Sequence, residues 1–133
     1  MMRVVLDTNI LVSTLLNPGG APAQVFLRAT GSPDIQMCVS NQVYAEYQEV
    51  IRRPKLRLGL NAINGLLGSI HDHAVWVEPE AHVLVCKDPD DDIFLECAQA
   101  ADADYLVTGN AKHFPQAWMR TRVVSPRAVL NLL

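Results

Sequence analysis

Short apolar runs alternate with helical segments along this chain. Val4-Val5-Leu6 forms the first run, within a strand predicted over residues 3–7. Residues 9–16 predict a short helix ended by Asn17-Pro18-Gly19-Gly20. Pro22 opens a second helix that runs to about Thr30 and stops at Gly31. Ile35 to Val39 is the next strand, and Ser40 caps a helix that ends near Arg53, ahead of Pro54. Residues 60–73 predict a further helix, weakened by Gly65 and Gly68. Val75 to Val77 reads as a strand, and Asp88-Pro89-Asp90-Asp91-Asp92 opens a helix reaching about Ala103. Tyr105 to Thr108 and Arg122 to Val124 supply the last strands, and Ser125-Pro126 caps a terminal helix. The alternation predicts an α/β fold, a parallel sheet flanked by helices, in one domain over residues 1–133.

In open parallel sheets, ligands collect outside the carboxyl ends of the strands. Asp7 directly follows the first strand, and Asn110 lies just beyond the run that ends at Thr108. Carboxylates gathered at such ends attract hard divalent cations, chiefly Mg²⁺ or Mn²⁺. Helical phase then sorts the other acids. In the helix after Ser40 the apolar stripe is Val43, Tyr47, Val50 and Ile51. Glu46 flanks that stripe, where a lone carboxylate is costly without a partner or a metal, whereas Glu49 lies on nearly the opposite, solvated side. By the same rule Asp91 shares a stripe with Phe94, Leu95 and Ala98 and points toward the sheet. Asp92 aligns with Glu96 and Gln99 and is expected to face water. Asp88, before Pro89, reads first as an N-cap, with a role at the site as the alternative.

Composition narrows the field. Half the residues are hydrophobic and only 8 are aromatic, which suits a helix-covered sheet better than a β-sandwich. The formal charge of −3 argues against broad electrostatic attraction to nucleic acid but leaves a nucleic-acid enzyme open, since acids gathered in a metal site lower the total; any basic path must be local. Cys38, Cys86 and Cys97 are odd in number and lack a Cys-x-x-Cys pair; buried thiols in a reducing cytoplasm are expected. Asp7 ends the first apolar stretch too early for a signal peptide, and no run approaches the roughly 20 apolar residues of a membrane span. The expectation is a cytoplasmic protein with no membrane partner.

Together these residues resemble a known family. Val4-Val5-Leu6-Asp7-Thr8-Asn9, Glu46 on a helix, Asp91 leading Phe94-Leu95-Glu96-Cys97-Ala98, and Val107-Thr108-Gly109-Asn110 look like the PIN-domain ribonucleases. The nearest group is the VapC-like toxins of toxin–antitoxin systems. The resemblance spans nearly the whole chain and keeps four motifs in order. It implies a three-layer α/β/α sandwich with a central parallel sheet and Mg²⁺- or Mn²⁺-dependent hydrolysis of phosphodiesters, usually in RNA. Asp7, Glu46 and Asp91 match the family's core acids and become the expected metal ligands and catalytic residues. Asn110 stands where many members carry a fourth acid; its amide oxygen still coordinates, with one negative charge fewer. Thr8, Asn9 and Ser13 either orient Asp7 and the substrate phosphate or cap the first helix. Thr108 joins this supporting group, and Lys112 and His113 are placed to meet substrate near the metal. The implied partners are an RNA substrate and a separately encoded antitoxin, and a homodimer is compatible with the resemblance.

Weaker signals point elsewhere or nowhere. Arg52-Arg53-Pro54-Lys55-Leu56-Arg57 reads as a solvated helix end before it reads as a phosphate path. His71, His73 and His82 lack zinc-ligand spacing and are expected at the surface, and Trp76 is expected in the core. A haloacid-dehalogenase phosphatase needs an aspartate where Asn9 stands, and a receiver domain needs an acidic pair after its first strand that is missing. The rival from another class is a PIN fold kept as a nucleic-acid- or protein-binding module with weak or no nuclease activity, which Asn110 and the acidic charge favour and the retention of Asp7, Glu46 and Asp91 opposes.

Overall fold

The computed structural model describes residues 1–133. Its strands are β1 (Met2–Leu6), β2 (Ile35–Val39), β3 (Val75–Trp76), β4 (Tyr105–Val107), β5 (Ala117–Trp118) and β6 (Thr121–Val124). They form one sheet in the order β3-β2-β1-β4-β6-β5, parallel throughout except for the β5–β6 hairpin. The helices are α1 (Thr8–Leu16), α2 (Ala21–Gly31), α3 (Asn41–Ile51), α4 (Leu60–His73), α5 (Asp92–Ala101) and α6 (Pro126–Leu130).

Val4, Val5 and Leu6 point alternately to the two faces of the sheet, yet all three are fully buried. Both faces are therefore covered, as a parallel sheet requires. α5 packs across β1, β2 and β4, while α2 packs on β2 and against α1, α4 and α6. The result is the expected three-layer α/β/α sandwich. No single helix is long and apolar enough to cross a membrane.

β1 is central. The chain first winds outward through β2 to β3, then returns to place β4 on the other side of β1. The strand order thus reverses between β1 and β4, the switch point outside whose carboxyl ends open α/β sheets place their ligands. Asp7 and Thr108 are the residues immediately past those two strands.

Three expectations are corrected. Trp76 is 39% exposed, because β3 is a two-residue edge strand; its ring packs edge-on to Tyr44, with centroids 5.1 Å apart, instead of entering the core. The aspartate run does not open an α-helix directly. A 3-10 turn covers Pro89–Asp91, and α5 begins at Asp92. Asp92 is only 4% exposed and does not face water: its Oδ1 accepts the N–H groups of Val85 at 3.2 Å and Cys86 at 2.8 Å. The rest of that polar stripe also holds neighbouring chain. Glu96 accepts Val83 N–H at 3.0 Å, and Gln99 accepts the Trp118 indole N–H at 3.0 Å.

Candidate active site

Asp7 sits at the switch point and is 7% exposed. Its backbone N–H still donates to Val107, so the residue is held in line with the sheet. Its carboxylate caps α1 by accepting Thr8 N–H at 2.8 Å, and the other oxygen accepts the Thr108 hydroxyl at 2.7 Å. Thr108 in turn accepts Asn110 N–H at 2.9 Å, which ties the β4 exit to the β1 exit. Asn9 secures the same loop by accepting Gly109 N–H at 3.2 Å. The capping role that is one of the two readings for Thr8, Asn9 and Ser13 therefore falls to Asp7 itself. Thr8 Oγ1 is buried without a hydrogen-bond partner, an unpaired oxygen one residue from the Asp7 carboxylate. Ser13 is half-buried, and Asn110 is exposed with no side-chain capping bond.

Asp91 enters from the 3-10 turn ahead of α5, with its side chain 17% exposed and Oδ2 3.8 Å from His113 Nδ1. Asp88 caps that turn by accepting Asp90 N–H at 2.9 Å, as its position before Pro89 suggested. Glu46 is half-buried on α3, while Glu49 is exposed and paired with Arg53 at 2.7 Å. α3 is anchored by the residue after Glu46: the buried Tyr47 hydroxyl donates to the carbonyl of Leu6, at the very end of β1. Tyr47 lies against Phe94, with ring centroids 6.3 Å apart, and Phe94 meets Phe114 edge-on at 6.4 Å. Three buried aromatic rings thereby join the segments that carry Glu46, Asp91 and His113.

Asp7, Glu46 and Asp91 all have carboxyls raised above their ordinary values. Burial pushes the Asp91 carboxyl up to about 6, the Asp7 and Asp88 charges add to this, and His113 opposes it. Burial also raises Asp7, against the Thr108 hydroxyl, Thr8 N–H and His113. Glu46 is raised by burial and then by Asp90 and Glu49, with Arg53 opposing and Asp91 adding. No three His, Cys, Asp or Glu side chains lie close enough together to form a metal cage. The candidate donors Asp7, Asp91 and Glu46 are all carboxylates, and charge acts from Asp7 on Asp91 and from Asp91 on Glu46. That donor set fits Mg²⁺ or Mn²⁺, since Mg²⁺ keeps much of its water and takes only one or two carboxylates plus substrate phosphate. Beside Asp91 a cleft of about 470 Å³ is lined by Lys87, Asp88, Pro89, Asp91, Lys112 and His113. Lys87 carries no sequence signal beyond its rarity and its position directly before Asp88.

A raised carboxyl pKa has a defined consequence for the metal-free protein. Between about pH 4 and 6 the folded state binds a proton at Asp91 that the unfolded chain has released, so stability falls as pH rises through that window. Discounted for partial solvent access, the effect is on the order of 1–2 kcal/mol, or several degrees in melting temperature. Thermal melts in EDTA should therefore peak on the mildly acidic side of neutrality. With Mg²⁺ the stabilisation should grow as pH rises through about 6, because the ion binds the ionised carboxylates. A metal-free melting temperature that climbs steadily from about pH 5 to 7 contradicts this assignment.

The arrangement has relatives. Residues 3–112 match the sequence family described as PIN domain. Over 112 residues the chain is 31% identical to an uncharacterized protein of Methanocaldococcus jannaschii, a match covering 82% of this chain and 71% of that one. In fold it is similar to a chain of the crystal structure of VapBC2 from Rickettsia felis bound to a DNA fragment from their promoter. That likeness has a TM-score of 0.63 at 16% identity and covers 93% of this chain and 98% of the other. With the sequence match running from β1 to the turn beyond β4, across every acid described above, the chain belongs to the PIN-domain family.

Proposed function

We propose that this protein is a Mg²⁺- or Mn²⁺-dependent endoribonuclease and the toxin half of a toxin–antitoxin pair. The observation that carries the reading is Asp7, fixed by Thr8 and Thr108 at the sheet's switch point, whose charge helps raise the Asp91 carboxyl on the neighbouring turn. In this reading Asp7 and Asp91 hold the cation, Glu46 reaches it directly or through water, and Asn110 offers an amide oxygen at the rim. When bound, the cation supplies activated water at neutral pH and stabilises charge on the phosphate oxygens.

The chain's own groups do the positioning. Thr108 and the Thr8 N–H hold the Asp7 carboxylate in one orientation, so little reorganises when substrate arrives. His113 sits beside Asp91, within reach of a phosphate or a leaving oxygen, and Lys112 brings positive charge to the same cleft. Membership of the PIN family and the fold likeness to a VapBC2 chain support an antitoxin partner. Three free thiols suit a reducing cytoplasm.

Asn110, standing where many members of the family carry a fourth acid, and the net charge of −3 favour a second reading, a PIN-fold binding module with weak or no nuclease activity. Incubating purified protein with structured and single-stranded RNAs in Mg²⁺, Mn²⁺ or EDTA separates the two. Cleavage that requires metal is the expected result. Metal-stabilised protein that leaves every RNA intact would favour the binding module.

A further inference from the structure

The chain has three lysines, and two of them, Lys87 and Lys112, line the cleft beside Asp91. They come from separate segments, one just before the Pro89–Asp91 turn and the other within the turn Ala111–His113. Both are exposed, and neither takes part in an ion pair. The other basic concentration, around Arg52 and Arg53, is partly spent: Arg53 is bound by Glu49, and Arg52 reaches Asn64 at 3.5 Å.

In a protein of net charge −3, a cleft lined by Asp88 and Asp91 repels any polyanion unless cations stand nearby. The cleft places two free ammonium groups there. Four of its six lining side chains are Lys87, Asp88, Asp91 and Lys112, and the two ammonium groups match the charge that every nucleotide carries on its sugar–phosphate backbone.

We propose that Lys87 and Lys112 form a two-armed clamp for backbone phosphates flanking the scissile bond of a single-stranded RNA. The clamp reads charge and leaves base identity to other surfaces. It deepens the ribonuclease reading and rests on it for the identity of the polymer. Both lysines are positioning residues, and binding reports on them separately from chemistry.

The test is the salt dependence of binding of a fluorescently labelled, mixed-sequence single-stranded RNA, followed by anisotropy in EDTA. It is made in an Asp7→Asn background, where cleavage cannot interfere. Each phosphate neutralised on a single strand contributes about 0.7 to the slope of log affinity against log salt. Lys87→Ala and Lys112→Ala should each lower the slope by about 0.7, and the double variant by about 1.4, equally for unrelated sequences. Lys55→Ala, which removes the third lysine on a different turn, should leave the slope unchanged. In the Asp7-containing protein the two cleft variants should raise KM for cleavage far more than they lower kcat. Unchanged slopes in the cleft variants, an equal drop in Lys55→Ala, or no RNA binding at all would overturn the clamp. Lysine-dependent slopes in a protein that never cleaves RNA would uphold the phosphate site and defeat only the ribonuclease reading.

Discussion

Replacing Asp91 with asparagine is expected to cut metal-dependent RNA cleavage by about 10²–10³-fold while raising the melting temperature of the metal-free protein. The first effect follows from the cation's share in stabilising the transition state, several kcal/mol, at about 1.4 kcal/mol per factor of ten. The second follows from the pKa. A carboxyl held at about 6 by burial and by the Asp7 charge is ionised at neutral pH at the expense of the fold. Asparagine keeps its size and removes the charge. Function and stability therefore move in opposite directions at one residue, as expected where a site stores like charges for a ligand. Stabilisation of the wild type by Mg²⁺ should shrink in the same variant, because binding to the native state alone produces it. Cleavage assays and melting curves with and without EDTA read all three effects. An Asp91→Asn protein that cleaves like the wild type removes Asp91 from the metal site. One that melts lower without metal shows that its carboxylate supports the fold instead.

Much of the architecture was legible because the apolar runs are short and bounded by strong punctuation. Gly31, Pro54 and the Ser40 and Ser125 caps fix element ends close to where they occur. The β5–β6 hairpin was not legible. Met119 and Arg120 make its turn with Met119 at φ 52°, and no Asn-Gly or Asp-Gly pair announces it. Ala117 and Trp118 are too few to show an alternating pattern. Trp76 misled for a related reason: periodicity identifies a strand but not whether it lies at an edge of the sheet.

At the site, helical phase distinguished Glu46 from Glu49, since both lie well inside α3. It failed for Asp92, which lies at the start of α5, where the preceding turn sets the direction of side chains and loops pack alongside. Lys87 could not be found from spacing at all. It lines the same cleft as Lys112 through the return of the chain to β4, a long-range relation that neither local segment encodes. The Tyr47–Phe94–Phe114 stack is of the same kind: each ring reads locally as core, and only the fold shows that together they join three site-bearing segments.

Asp92→Ala should be the most destabilising substitution among the aspartates of the 88–92 run, at about 1.5–3 kcal/mol, and its effect should not depend on metal. Burial works against ionisation of Asp92, but the N–H and thiol of Cys86 and the N–H of Val85 outweigh it and hold the carboxyl below its ordinary value. Truncation removes a charged acceptor and strands two backbone donors, a larger loss than the removal of one neutral hydrogen bond. The sign of the pH dependence is opposite to that of Asp91. With a depressed folded-state pKa, the contribution of Asp92 is present above the unfolded value near 3.8 and is lost as pH falls through the lower folded value. Urea melts at neutral pH should show the loss, and Asp92→Ala should lose less than the wild type on further acidification. Because Val85 and Cys86 lead directly into Lys87 and Asp88, residual cleavage by the folded fraction should show a raised KM as the cleft wall loosens. Wild-type stability in Asp92→Ala would mean that the segment through Cys86 is held by other contacts, and that the polar stripe of α5 does not anchor it.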